Sequence, residues 1–96
     1  MSYQLIIDPL AQEDVEKAYR YFEDLQSGLG TGFLSALADL FDKIENRPNM
    51  FQAVEGDIRR GIIRRFQYAI FYRVIKDRSV LVLAIQHTSR QWGRWG

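Results

Sequence analysis

Two arginine pairs, Arg59-Arg60 and Arg64-Arg65, precede the single histidine, His87, in the C-terminal part of the chain. The planar guanidinium of arginine suits bidentate contact with phosphate. Imidazole is the one side chain whose ordinary pKa serves proton transfer near neutrality. Tyr68, Tyr72, Trp92 and Trp95 add rings on which bases can stack. These groups would suffice for RNA cleavage without a metal, in which the ribose 2′-OH attacks its own phosphate. That reaction requires a proton acceptor, cations around the phosphorane-like transition state and a donor for the leaving 5′-oxygen. Each group also has a plainer role: the arginines as a solvated strand face balancing acidic helices, and the histidine as a satisfied group at a strand end.

Charge is segregated along the chain. Residues 1–57 carry four basic and eleven acidic side chains, net −7, whereas residues 58–96 carry nine basic side chains against Asp77 alone, net +8. Eight of those nine are arginine, which favours a polyanion or an acidic partner over mere solubility. A chain of 96 residues with 47% hydrophobic and 26% charged residues is expected to fold as one domain, residues 1–96, so the two charge blocks become two sides of one fold. The absence of cysteine excludes a disulfide scaffold, thiolate catalysis and thiolate-ligated zinc, and one histidine makes an all-nitrogen metal site implausible. No metal and no cofactor are expected. The start Met1-Ser2-Tyr3-Gln4 lacks the pattern of a signal peptide and no apolar run reaches membrane-spanning length, so the expected location is cytoplasmic, with no membrane partner.

Those candidate residues must be held by a small set of elements. Tyr3 to Ile7 reads as a strand, and Asp8-Pro9 as the cap and first position of a helix running to about Gln26, with Ala11, Val15, Ala18, Tyr19, Phe22 and Leu25 on its apolar stripe. The glycines of 27–32 predict a turn, and Phe33, Leu37, Leu40, Phe41 and Ile44 a second helix over roughly 31–46. These stripes are read as core rather than as a cofactor pocket. Residues 46–57 read as a loop with a short strand near Met50 to Val54. Ile58 to Arg65, Tyr68 to Ile75 and Ser79 to His87 read as an antiparallel meander, with a bulge expected at Gly61 and a hairpin at Lys76 to Arg78. The fold class is therefore α+β, a single domain of order β-α-α-β-β-β, with a helical hairpin on one face of a mostly antiparallel sheet. The other face is left open as the expected site.

That layout, the stretch from Arg64 to Val74 with its Ile70-Phe71-Tyr72, and the strand Val82 to Arg90 ending His87-Thr88-Ser89-Arg90, with Trp95 after it, resemble the RelE/ParE superfamily of bacterial toxins. Gln67 and Gln91 stand where that family usually has proline. The resemblance implies the toxin of a type II toxin–antitoxin module, held in check by a cognate antitoxin that is small, acidic and partly disordered. RelE-like members cut messenger RNA on the ribosome, whereas ParE-like members poison DNA gyrase without nuclease activity. The RelE-like reading, an mRNA interferase, implies Arg64, His87 and Arg90 as catalytic residues, with Arg59, Arg60, Arg65, Tyr68 and Trp95 binding substrate. It lacks the lysine cluster on the central strands. Ribosome-dependent cleavage of messenger RNA is the function expected first, because the arginine-rich open face and a titratable His87 lie on adjoining elements. The ParE-like reading, which requires no catalytic residue, is the alternative, and a basic nucleic-acid-binding module, which would explain the arginines alone, comes last.

Overall fold

The computed structural model describes residues 2–89. Along the chain run β1 (Gln4–Ile7), α1 (Pro9–Leu25), α2 (Leu29–Asn46), a 3-10 turn (Pro48–Met50), β2 (Gln52–Glu55), β3 (Ile58–Ile63), β4 (Tyr68–Ile75) and β5 (Ser79–His87). The short strand expected within the connecting loop is β2, a full member of the sheet, so the order is β-α-α-β-β-β-β. In space the strands lie β1-β5-β4-β3-β2. All contacts are antiparallel except β1 against β5, which is parallel.

Local chemistry accounts for the helical hairpin. The Asp8 carboxylate accepts the Leu10 N–H at 2.8 Å and Pro9 occupies the first turn, where its missing N–H leaves no partner unmet. Gly28, at φ 90°, makes the left-handed turn between the helices. The second helix starts at Leu29, two residues before the expected start, and it takes in Gly30 and Gly32. The reason is a cap supplied from the preceding helix. Glu23 of α1 accepts the Gly28 N–H at 2.9 Å on one carboxylate oxygen and the Gly30 N–H at 2.9 Å on the other, which places negative charge at the positive end of α2. At Gly30 the helices also pass close together, since a Cβ there would lie 2.7 Å from the Tyr19 carbonyl oxygen.

Both apolar stripes bury against one face of the sheet. Ala11, Ala18, Phe22, Phe33, Leu37, Leu40 and Ile44 pack on Ile63, Ile70, Tyr72, Val80, Val82 and Ile85, the burial that drives the fold. Phe22 and Phe33 form an aromatic box with Phe66 and Tyr68, with ring centroids 4.9–5.6 Å apart. These phenylalanines are core, as the stripe predicted.

The bulge expected at Gly61 is absent: Gly61 pairs in register with Ile70. It is needed for a different reason, because Leu40 of α2 packs against it and would sit 3.2 Å from an added Cβ. The irregularities fall instead in β2, between Ala53 and Glu55, and in β5, where Phe71 faces Ala84 but Tyr72 faces Val82. The extra residue in β5 is Leu83. Side chains alternate along a strand, so one inserted residue reverses which face all later ones occupy. Val80 and Val82 point at the helices, and after the insertion Ile85 does so again while Ala84 joins Ile58, Ala69 and Phe71 in a small cluster on the far face.

Candidate functional site

The inserted Leu83 decides where His87 lies. Directly opposite Tyr68 in the ladder, its ring meets that of Tyr68 edge-on at 5.6 Å. Tyr68 in turn packs on Phe22 and Phe33. Both therefore lie on the helix-covered side of the sheet, at its end, and not on the open face where the site was expected. Together with Lys17 and Tyr21 of α1, and Gln86 and Ser89 of β5 and its end, they line a cleft of about 430 Å³. Asp14, also on this cleft, accepts the Ile85 N–H at 2.9 Å. That N–H lies past the last residue paired with β1, Val82.

The imidazole is held in one hydrogen-bonding state. Its Nδ1 receives the Ser89 N–H at 3.1 Å and stands 2.8 Å from the Ser89 hydroxyl. A backbone N–H can only donate, so Nδ1 is an acceptor here and the neutral ring carries its proton on Nε2. In that state His87 can donate from Nε2, and taking a proton at Nδ1 requires the Ser89 N–H to be released first.

The arginines do not converge. Arg59 faces the helix side opposite Tyr72, and its guanidinium donates to the Phe51 carbonyl at 2.7 Å and the Asn49 carbonyl at 3.3 Å. It thereby pins the segment that leads into β2. Beside it, the fully buried Tyr72 donates its hydroxyl to the Pro48 carbonyl at 2.6 Å. Burial pushes the Tyr72 hydroxyl up to about 12, against the opposing pull of the Arg59 guanidinium. Tyr72 is thus a core residue and not a stacking platform. Arg60 lies on the far face opposite Phe71. On that face Arg73 pairs with Asp57 at 2.9 Å, an exposed contact of small energetic weight.

Arg64 and Arg65, expected at the end of a strand, belong to the turn between β3 and β4 and are exposed. Arg65 lies over the Phe66 ring, 4.8 Å from its centroid. Gln67 closes the turn with a φ of 58°, a value closed to the proline the family resemblance leads one to expect, whose ring fixes φ near −65°. Its carbonyl accepts the Thr88 N–H at 2.8 Å, so the turn carrying Arg64 is tied to the strand end carrying His87. Two of the candidate catalytic residues thus share one end of the sheet; Arg90, Trp92 and Trp95 lie outside the described residues. Sequence reasoning passed over Lys17 and Tyr21, whose spacing marks them only as positions on an amphipathic helix. No group of three or more His, Cys, Asp and Glu side chains converges among the described residues, and no helix there is long and apolar enough to cross a membrane.

Residues 5–92 match the family described as the ParE toxin of the type II toxin–antitoxin system parDE. No curated protein matches the sequence. Among solved structures, the chain is similar to one from the chromosomal ParDE TA system of P. aeruginosa, with a TM-score of 0.78 at 14% identity over 90% of this chain and 96% of that one. It is similar also to a chain of a RelBE toxin–antitoxin complex from Mycobacterium tuberculosis, with a TM-score of 0.63 at 19% identity over 91% and 99% of the two chains. A third, from the intact E. coli RelBE toxin–antitoxin complex, has a TM-score of 0.56 at 20% identity over 93% and 100%. At such identities these likenesses concern the fold: two helices on one face of a small mixed sheet.

Proposed function

The chain belongs to the ParE toxin family of type II toxin–antitoxin systems, and from that premise we propose that it arrests growth by binding DNA gyrase rather than by cutting RNA. The observation that carries this reading is that His87 Nδ1 already accepts the Ser89 N–H, a bond that a general base at this nitrogen would have to give up. A general base needs that lone pair free within reach of the proton it abstracts. Two of the arginines are unsuited to clamping a phosphate, since Arg59 is spent on backbone carbonyls and Arg73 on Asp57, which leaves Arg64 and Arg65 as the exposed cations nearest His87. A surface that acts by docking on a protein needs no such convergence.

A cognate antitoxin of small size, with an acidic and partly disordered segment, is the partner that fits the basic block of residues 58–96, net +8. The whole chain, residues 1–96, acts as one toxin domain, and both gyrase and antitoxin imply the cytoplasm as its place of action.

A second reading, ribosome-dependent cleavage of messenger RNA, keeps one observation in its favour: Arg64 and His87 flank the same end of the sheet, joined through Gln67 and Thr88. Induction of the protein separates the two. The gyrase reading expects gyrase-linked DNA breaks, a DNA-damage response and intact transcripts, with His87→Ala losing no more than the roughly tenfold of a single binding contact. Cuts in ribosome-bound messages, together with a loss of activity in His87→Ala of the order of 10²–10⁴, the weight of a proton-transfer group, would overturn it.

A further inference from the structure

Gln67 has no chemical role in either reading, yet the hydrogen bonds of the turn converge on it. Its backbone N–H and its side-chain Nε2 both donate to the Arg64 carbonyl, at 3.2 Å and 2.7 Å. Its own carbonyl accepts the Thr88 N–H at 2.8 Å, and its Oε1 stands 3.4 Å from the Thr88 hydroxyl. Thr88 lies between His87 and Ser89, the two residues whose mutual hydrogen bonds hold the imidazole. The left-handed backbone of Gln67, φ 58°, lets its N–H face Arg64 while its carbonyl faces β5.

The geometry points to Gln67 as a positioning residue that locks the exposed Arg64–Arg65 turn and the His87 strand end into a single surface. The assignment rests on the reading that this surface meets the toxin's target, whichever macromolecule that is. Two exposed elements joined only by the flanking ladder sample independent positions. Linked through Gln67, they present Arg64, Arg65 and His87 in one fixed relation, which lowers the entropy lost when a target binds them together. Glutamine is not the residue type that a left-handed position favours. Its side chain closes the turn by the second bond to Arg64, which glycine could not make.

Two substitutions separate backbone from bulk. Gln67→Val is β-branched and resists positive φ, whereas Gln67→Gly adopts it freely. At matched protein level, Gln67→Val is expected to need about tenfold more toxin for growth arrest, equivalent to about 1.4 kcal/mol of binding. Gln67→Gly should recover to within about threefold of the wild type, since it keeps the main-chain contacts. The forced positive φ should lower the thermal midpoint of Gln67→Val by several degrees and leave that of Gln67→Gly nearer the wild type, so toxicity is compared at a temperature at which all three proteins are folded. Imidazole ¹⁵N shifts should show His87 with Nδ1 unprotonated in the wild type and in Gln67→Gly, and a mixture of tautomers in Gln67→Val. A fully toxic Gln67→Val, an unchanged His87 tautomer in that variant, a Gln67→Gly as impaired as Gln67→Val, or a loss of toxicity that merely follows a loss of stability would each overturn the assignment. Growth arrest and tautomer are read without reference to the target. Absence of gyrase-linked breaks with the wild type therefore sinks the gyrase reading and leaves this comparison intact.

Discussion

Replacing Tyr72 by phenylalanine removes one oxygen from the centre of the fold and leaves the ring in place. The side chain is fully buried, with 0% of its surface exposed, and its hydroxyl is a 2.6 Å donor to the Pro48 carbonyl. Without that donor the carbonyl loses its partner in a region water does not reach, a change that costs about 1–3 kcal/mol. For a domain of this size each kcal/mol lowers Tm by about 4–8 °C. The pH dependence adds a second, independent signature. The hydroxyl's pKa is raised from 10.0 to about 12 in the folded protein, so the fold favours the protonated form. Its contribution to stability is complete below pH 10 and is lost as the pH climbs toward 12, by about 1.4 kcal/mol at pH 11. The Tyr72→Phe variant has nothing to titrate at this position. The advantage of the wild type over Tyr72→Phe should therefore be constant from pH 7 to 9 and shrink between 9 and 11. Denaturant unfolding of both proteins at pH 7, 9 and 11 measures it. A difference below about 0.3 kcal/mol at pH 7, against the 1–3 expected for an orphaned buried acceptor, would refute the reasoning, as would a difference that grows above pH 9.

Leu37, 4% exposed at the centre of the α2 stripe, should lose about 2–5 kcal/mol of stability on replacement by alanine; a loss under about 0.5 kcal/mol in denaturant unfolding would mean the site collapses or faces water. Glu23→Ala removes both acceptors at the start of α2 and should lower stability by about 0.5–2 kcal/mol, as the loss of a helix cap does. Glu23→Gln, which keeps one acceptor, should fall between, and equal stability of all three proteins would show that the cap contributes nothing.

Much of the fold is legible locally. The helical stripes, the Asp8-Pro9 start of α1 and the β-branched runs of β3, β4 and β5 each declare themselves within a few residues, because periodicity, capping and φ preference act over one or two turns. Boundaries fail where a distant residue intervenes. The start of α2 is misplaced because its cap is Glu23, on another helix, and glycines in sequence look like a break when their N–H groups are in fact satisfied from outside. Arg64 and Arg65 read as strand because arginine tolerates strands, while the turn that holds them is made by Gln67, a residue carrying no turn signal of its own.

The site shows the same division more sharply. Sequence alone determines that arginine dominates residues 58–96, that His87 is the single imidazole and that the acidic residues gather on the helices, since composition and charge require no coordinates. Whether those groups can work together is settled by tertiary pairing. Arg59 and Arg60 are neighbours in the chain, yet one reaches the carbonyls of Asn49 and Phe51 while the other faces the opposite side. His87 would stand on the open face if β5 alternated regularly from Val80 and Val82. The extra residue, Leu83, reverses the parity and carries it to the helix side beside Tyr68. Which residue a strand inserts depends on how two ladders and the packing of α1 are satisfied together, a balance among positions far apart in the chain that no local pattern encodes.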